Sequence, residues 1–167
     1  MRGEKILINK IKLPLRYKKI YKNFYKEYAL SSTFVRKIAS FFESWYHRKI
    51  GKIGGDNLKI LEVGCGSLNH VFFEKNYFNY DVVEPKSFLI KVAADNRKDV
   101  ISNFYNSLDS ISTKKRYDKI ISIAVLEHIS NLEEHILKIS NLITPNGIFA
   151  VAIPAEGEFL WWLSWRL

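Results

Sequence analysis

The sequence carries two long apolar runs of the kind found in parallel strands that are covered on both faces. These runs are Lys119–Val125 (KIISIAV) and Gly147–Ile153 (GIFAVAI), and neither shows the alternation of a half-exposed strand. Between them, Asn131–Ile143 has its apolar residues at helical spacing. A buried strand, a helix and a second buried strand predict a βαβ unit, in which the two strands lie parallel.

Shorter patterns of the same kind precede this unit. The segments Lys59–Val63, Tyr80–Glu84 and Val100–Phe104 are predicted strands, while Leu68–Lys75 and Ser87–Asp95 between them are predicted helices. Strands that alternate with helices along the chain are typical of a parallel sheet with helices packed against it. The predicted fold class is therefore α/β, with a Rossmann-like parallel sheet and flanking helices.

Positive charge is concentrated at the amino end of the chain. Residues 1–55 hold 14 Lys and Arg against 3 Asp and Glu, whereas residues 56–167 hold 12 against 14. A helical apolar stripe over residues 34–50 ends at a cluster of Gly, Asp and Asn over residues 51–57. We therefore predict a basic N-terminal helical extension, residues 1–55, and an α/β domain, residues 56–167.

The partners of the basic extension stay open at this point. Residues 16–26 interleave basic residues with tyrosines, a pattern that could contact nucleic acid, an anionic lipid surface or a phosphorylated substrate. A solvated helix face explains the same pattern. We favour that explanation, and we expect no nucleic-acid partner.

Cysteine content and hydropathy indicate the compartment. A single cysteine, Cys65, cannot form an internal disulfide, and no residues have metal-ligand spacing, so we predict a cytoplasmic protein without a metal site. No apolar run reaches the length of a transmembrane helix. The Trp-rich residues 159–167 leave peripheral membrane contact open, although we favour for them a helix or loop over a substrate pocket.

The first predicted strand ends in a turn suited to a ligand. Gly64 and Gly66 allow a tight turn and close approach of the backbone, and Glu84 ends the second strand about 20 residues downstream, where a carboxylate can accept both ribose hydroxyls. A dinucleotide fingerprint would require a third glycine where Asn69 stands. The acid Glu62 suits a positively charged ligand better than a phosphate, which disfavours NAD.

Four segments resemble, in order and spacing, the motifs of class I S-adenosylmethionine-dependent methyltransferases. They are ILEVGCGS, YDVVEP, YDKIISIAVLEHISNLEE and NLITPNGIFAVAIP, and the resemblance covers about residues 58–154. It implies S-adenosylmethionine as the cofactor and methyl transfer to a small-molecule or saccharide acceptor as the activity. The stretches VLEHI and IPAEGEFLWWLSWRL resemble enzymes encoded with surface-polysaccharide genes.

The resemblance also implies roles for single residues. Gly64, Cys65 and Gly66 would form the loop under the methionine part of the cofactor, Glu84 would hold the ribose hydroxyls, and Glu62 would orient that loop or its water. These residues are the predicted cofactor-binding set around the first two strands.

Further roles fall near the ends of the third and fourth strands. Asn106 would meet the adenine amino group, with Asp109 as an alternative, and Ala124 would lie beside the cofactor. His128 is the candidate base for an acceptor that must lose a proton. The alternative for His128, which we favour on the sequence alone, is a structural role at a strand-to-helix turn.

The chain departs from the family pattern at its end. Members continue after the fifth strand with a helix and an antiparallel hairpin, which complete a seven-stranded sheet, whereas this sequence stops at Leu167. We therefore expect a C-terminally truncated domain whose fifth strand exposes an apolar edge, through which a homodimer could form. The rival functional hypothesis is a non-catalytic module that still binds S-adenosylmethionine.

Overall fold

The computed structural model describes residue 41 and residues 44–66, 68–86 and 100–153. Five strands in these ranges form one sheet: β1 (Leu58–Val63), β2 (Tyr77–Val83), β3 (Asn103–Tyr105), β4 (Tyr117–Ile123) and β5 (Ile143–Ala152). Their order is β3-β2-β1-β4-β5, and every neighbouring pair is parallel. The predicted Rossmann-like sheet is confirmed.

The strand order reverses between β1 and β4. The chain proceeds outward from β1 to β2 and β3, and then returns to place β4 on the other side of β1. In the register, Glu62 of β1 lies opposite Val82 of β2 and Ile121 of β4. Because all strands point the same way, the loops after β1, β2 and β4 meet at one edge, and ligands bind at such a reversal point in open α/β sheets.

Two apolar clusters cover the two faces of the sheet. The first contains Ile60, Tyr80, Val82 and Ile121 of the strands. The second is built around Leu61, Val63, Val83, Tyr117 and Ile120. Successive residues of a strand point to opposite faces, so the near-continuous apolar runs of β1 and β4 supply both clusters.

Two α-helices lie in the described ranges. Helix α1 covers residues 44–50 and belongs to the same compact unit as the sheet, with Ile50 buried in the first cluster. Helix α2 (Leu132–Ser140) begins after Asn131, whose side chain accepts a hydrogen bond from the Glu134 amide. Residues 1–40 lie outside the described residues, and the division into 1–55 and 56–167 stays a prediction.

The segment after β1 differs from the predicted secondary structure. The segment Leu68–Lys75, predicted as a helix, contains only a short 3-10 helix at His70–Phe73. Leu68 has a φ of +64°, and this left-handed backbone cannot begin a right-handed helix. The predicted helix Ser87–Asp95 and the Trp-rich tail lie outside the described residues.

Candidate functional site

The loop that follows β1 is tied to the end of β2. The Gly64 and Cys65 amides both donate to the Val83 carbonyl, at 2.8 and 3.3 Å. Gly64 and Gly66 have φ values of +75° and +52°, which favour glycine. A Cβ on Gly64 would collide with the side chain of Val125, whereas a Cβ on Gly66 would meet no atom of the described residues within 4 Å. Packing against Val125 therefore requires glycine at position 64, while the described residues leave room for a side chain at position 66.

Glu84 is oriented toward this loop by backbone amides. Its Oε2 accepts from the Gly66 amide at 3.1 Å, and its Oε1 accepts from the Lys86 amide at 2.9 Å. The Glu84 amide in turn donates to the Tyr105 carbonyl at 3.0 Å, which fixes the residue between β2 and β3. Each carboxylate oxygen can accept more than one hydrogen bond, so the carboxylate is held in place with acceptor capacity left.

The two other predicted residues of this region are buried. Burial, with smaller contributions from the charges of Glu62 and Glu84, raises the pKa of the Cys65 thiol, so Cys65 carries no nucleophilic thiolate at neutral pH. Glu62 accepts a hydrogen bond from the Tyr80 hydroxyl at 2.8 Å. The predicted action of Glu62 on the loop or its water stays a prediction.

The end of β4 faces the glycine loop. Ala124 donates its amide to the Ala152 carbonyl at 2.8 Å and has a φ of +53°, a conformation that is uncommon for a residue with a Cβ. The turn it makes brings Val125 against Gly64. A 3-10 helix, Leu126–His128, follows at the same edge of the sheet.

His128 is the last residue of this 3-10 helix and is exposed to solvent. It borders an open groove of about 240 Å³ together with Asn131, Glu134, His135 and Lys138. The His135 Nε2 atom is buried and has no hydrogen-bond partner within the part of the chain that the structure describes. Burial lowers the pKa of His135, and the Lys138 charge adds to this. Polar side chains of helix α2 thus line the groove beside His128.

The two candidates for the adenine contact, Asn106 and Asp109, lie in different surroundings. Asn106 is exposed directly after Tyr105, the residue whose carbonyl holds the Glu84 amide. Asp109 is directed elsewhere, because its Oδ1 pairs with Lys138 Nζ at 2.8 Å. The role of Asn106 at the adenine, and that of Asp109 as its alternative, stay predictions.

The fold thus brings Gly64, Cys65, Gly66, Glu84 and Ala124 to one edge of the sheet. Two residues at this site escaped sequence reasoning. Val125 is a β-branched residue just after a buried strand, and its side chain leaves no room for a Cβ at Gly64. Tyr80 donates a hydrogen bond to Glu62, but its sequence context indicates only an aromatic residue of the core. Both residues lie in segments that resemble family motifs, but the motifs do not indicate these two contacts, since each contact joins separate parts of the chain.

The described ranges show neither a metal-binding cluster nor a membrane-spanning helix. They contain no group of three or more His, Cys, Asp or Glu residues that could hold a metal ion. In the same ranges no helix combines the length and apolarity needed to cross a bilayer. The expectation that the protein uses no metal stays a prediction.

A family model described as a methyltransferase domain matches residues 34–167 of the chain. The chain belongs to this family. The resemblance to class I S-adenosylmethionine-dependent methyltransferases is confirmed, and the match begins upstream of helix α1.

Curated relatives carry the same kind of name. The ubiquinone biosynthesis O-methyltransferase of Rickettsia akari (strain Hartford) is 29% identical over 111 residues, which are 64% of this chain and 42% of the relative. That of Rickettsia canadensis (strain McKiel) is 29% identical over 99 residues, 57% of this chain and 42% of the relative. The chain spans about two fifths of the length of these relatives.

Solved methyltransferases share the fold. The N-methyltransferase NodS from Bradyrhizobium japonicum WM9, in complex with S-adenosyl-L-homocysteine, aligns with a TM-score of 0.54 at 20% identity, over 65% of this chain and 60% of NodS. Coclaurine N-methyltransferase, bound to N-methylheliamine and S-adenosyl-L-homocysteine, aligns with a TM-score of 0.51 at 22% identity, over 62% of this chain and 32% of that enzyme.

Proposed function

We propose that the chain binds S-adenosylmethionine at the carboxyl edge of β1, β2 and β4 and carries the cofactor-binding part of a methyltransferase. The observation that supports this most directly is the Glu84 carboxylate, which Gly66 and Lys86 orient through their backbone amides. Membership of the methyltransferase-domain family supports the same assignment. The buried carboxylates Glu62 and Glu84 favour a cationic ligand over a phosphate.

The residues present fit this cofactor. Glu84 would accept the ribose hydroxyls, and Asn106 would meet the adenine edge. The loop Gly64–Gly66 would lie under the methionine part, and no atom of the described residues stands within 4 Å of where a Gly66 side chain would begin. Ala124 would close the site from the end of β4.

The chemistry requires mostly orientation from the protein. The bound cofactor supplies a methyl group already activated by positive sulfur. The rigid attachment of the loop to Val83 and of Glu84 to Tyr105 would keep the binding groups in one geometry, which is how a protein accelerates an in-line displacement. His128, exposed at the same edge, would take the proton of an acceptor hydroxyl.

The proposed acceptor is a small molecule with a hydroxyl group. The printed names of the Rickettsia relatives, ubiquinone biosynthesis O-methyltransferase, favour oxygen as the methylated atom. A saccharide acceptor in surface-polysaccharide synthesis is the other candidate, and hydroxyl chemistry is common to both. The proposal includes a cytoplasmic location. It also includes a homodimer that forms through the β5 edge, since β5 pairs with one neighbour, β4, among the described strands.

The alternative is a module that binds the cofactor without turnover. Isothermal titration of the full chain with S-adenosylmethionine, S-adenosylhomocysteine and NAD tests the binding, and we expect heat from the first two only. Binding of NAD alone would contradict the proposal.

Transfer of a tritiated methyl group separates the enzyme from the binding module. The acceptors offered would be a panel of soluble phenols and hydroxyl-bearing sugars. We expect His128→Asn to lower kcat toward a phenol while leaving cofactor affinity unchanged. Full activity in this variant would contradict the role of His128 as a base and would favour a structural role for it.

A further inference from the structure

A groove with many basic residues opens at the amino edge of the sheet, where β1, β2 and β4 begin. Its volume is about 430 Å³, which lies within the range of small-molecule sites. Four basic residues are among the described residues that line it, namely Lys59, Lys114, Lys115 and Arg116, and we call it the basic groove. The proposed cofactor site lies at the opposite, carboxyl edge, and the five positions from Lys59 to Gly64 span roughly 16 Å of extended chain.

Positive charge outweighs negative charge in the basic groove. Among the described residues one carboxylate lines it, that of Asp81, which is fully buried and pairs with Lys115 Nζ at 2.8 Å. Lys59, Lys114 and Arg116 are exposed. None of the ion pairs within the described part of the chain involves these three side chains. Three positive charges are therefore left for an anionic ligand.

The turn before β4 holds the Arg116 guanidinium in place. The Lys115 amide closes the turn by donating to the Ser112 carbonyl at 2.9 Å. Arg116 Nη1 donates to the carbonyls of Thr113 and Lys115 at 2.7 and 2.8 Å. These bonds use one of the three guanidinium nitrogens, so the N–H groups of the other two stay available. An arginine held in this way can bind two oxygens of one phosphate, whereas a lysine acts as a point charge.

The starts of β1 and β2 add a cation and an aromatic ring to the groove. Lys59 lies opposite Asn79 in the register of the two strands. Its amide donates to the Asp118 carboxylate at 3.0 Å, and Asp118 does not line the groove. Phe78 does line it and is 68% exposed, so its ring offers an apolar face on which a planar ring can stack. The groove thus combines cations for an anion with a surface for stacking.

We propose that the basic groove binds a nucleoside diphosphate. Its phosphates would contact Arg116, Lys114 and Lys59, and its base would stack on Phe78. A diphosphate carries about three negative charges at neutral pH, which the three available cations balance. A nucleic-acid strand would need cations along a longer track, whereas these cations line one groove. This ligand is not a reactant of the proposed methyl transfer, because the groove and the cofactor site lie at opposite edges of the sheet.

Titration calorimetry of the full chain with uridine diphosphate at low ionic strength tests the site. A pyrimidine nucleotide is chosen because an adenine nucleotide could also enter the proposed cofactor site. We expect binding that weakens as salt is added and that persists in an excess of S-adenosylhomocysteine. No binding at about 1 mM uridine diphosphate would overturn the proposal, and so would its displacement by S-adenosylhomocysteine. If S-adenosylhomocysteine itself does not bind, the proposed function fails while the groove is still tested.

Variants separate the phosphate contact from the stacking contact. Arg116→Ala should lower the affinity for uridine diphosphate about tenfold or more, and Arg116→Lys several-fold, because a point charge replaces the fork. Phe78→Ala should lower it about fivefold or more and leave the affinity for inorganic pyrophosphate unchanged. Lys75→Ala, which removes one exposed positive charge outside the groove, is the matched control and should bind as the wild type does. Equal losses in Arg116→Ala and Lys75→Ala would mean that only net charge attracts the anion, and would overturn the proposal.

A labelled oligothymidylate of about ten nucleotides separates the small ligand from a nucleic-acid strand. Its binding to the full chain is followed by fluorescence anisotropy. Whatever affinity the basic chain has for this strand should change no more in Arg116→Ala and Phe78→Ala than in Lys75→Ala. A strand that binds more tightly than uridine diphosphate and is lost in the first two variants alone would assign the groove to nucleic acid and overturn the proposal.

Discussion

Strand β2 and the residue that follows it carry two buried carboxylates, Asp81 and Glu84, in opposite surroundings. Asp81 in the middle of the sheet accepts from Lys115 Nζ, the Tyr117 hydroxyl and Asn103 Nδ2, at 2.8, 2.7 and 2.8 Å. Glu84 at the carboxyl edge accepts only from two backbone amides among the described residues. Three side chains donate to the Asp81 carboxylate, whereas two backbone amides orient the Glu84 carboxylate.

This difference separates a structural carboxylate from a binding one. A buried charge needs partners, and Asp81 receives them from two segments of the chain, β3 and the start of β4 with the residues before it, so its removal should disturb folding. Glu84 has backbone partners in the loop after β1 and in the loop after β2, and it lies at the edge where ligands bind in such sheets. Burial alone does not separate the two residues, because both carboxylates are buried; their hydrogen-bond partners do.

Replacing Asp81 should have the largest effect. We expect Asp81→Ala to lower the free energy of unfolding by about 3 kcal/mol, because it leaves the buried Tyr117 hydroxyl without an acceptor. Lys115 is partly exposed and can turn to water, which keeps the loss from being larger. Urea unfolding measures it, with the exposed Glu133→Ala as the control. A loss no greater than that of Glu133→Ala would remove the distinction between the two carboxylates.

Replacing Glu84 should act on binding instead. We expect Glu84→Ala to weaken S-adenosylmethionine binding by about 2 to 3 kcal/mol, the scale of a lost pair of charge-assisted hydrogen bonds. This corresponds to an affinity about 30- to 150-fold lower, while the unfolding midpoint barely changes. Titration calorimetry and urea unfolding on the same sample measure both quantities. Unchanged affinity would refute the assignment of Glu84.

Removing one donor from Asp81 sharpens the comparison. Tyr117→Phe should cost about 1.5 kcal/mol at neutral pH, since Lys115 and Asn103 remain as partners. Burial and the hydrogen bond to Asp81 raise the pKa of Tyr117 above its ordinary value of 10.0. The unfolded chain therefore loses this proton first, and the contribution is present below pH 10 and lost as pH rises above it. The alkaline loss of stability should be smaller in Tyr117→Phe, and an equal loss would contradict the cause given.

Sequence reasoning predicted the five strands and the edge of the sheet at which the proposed ligand site lies. The apolar runs of β1 and β4 and the Gly64–Gly66 turn are local signals, and they carry that information directly. The partners of Asp81 and the buried ion pair of Lys119 with Glu74 were not predicted, because these residues are 22 to 45 positions apart and meet only in the folded sheet. The short 3-10 helix at His70–Phe73 was missed for a related reason. The left-handed Leu68 is imposed by packing, not by its own preference.

The smallest expected effect concerns the two candidates for the adenine contact. Asp109→Ala should leave cofactor affinity within about twofold, because Asp109 pairs with Lys138 at the surface and such pairs contribute little. Lys138 also keeps Glu134 as a second partner at 2.9 Å, so stability should hardly change. Asn106→Ala should instead weaken S-adenosylmethionine binding several-fold, the scale of one neutral hydrogen bond. Calorimetry on both variants ranks them. A larger loss in Asp109→Ala would mean that its pair with Lys138 opens when the cofactor binds and that the carboxylate turns to the adenine.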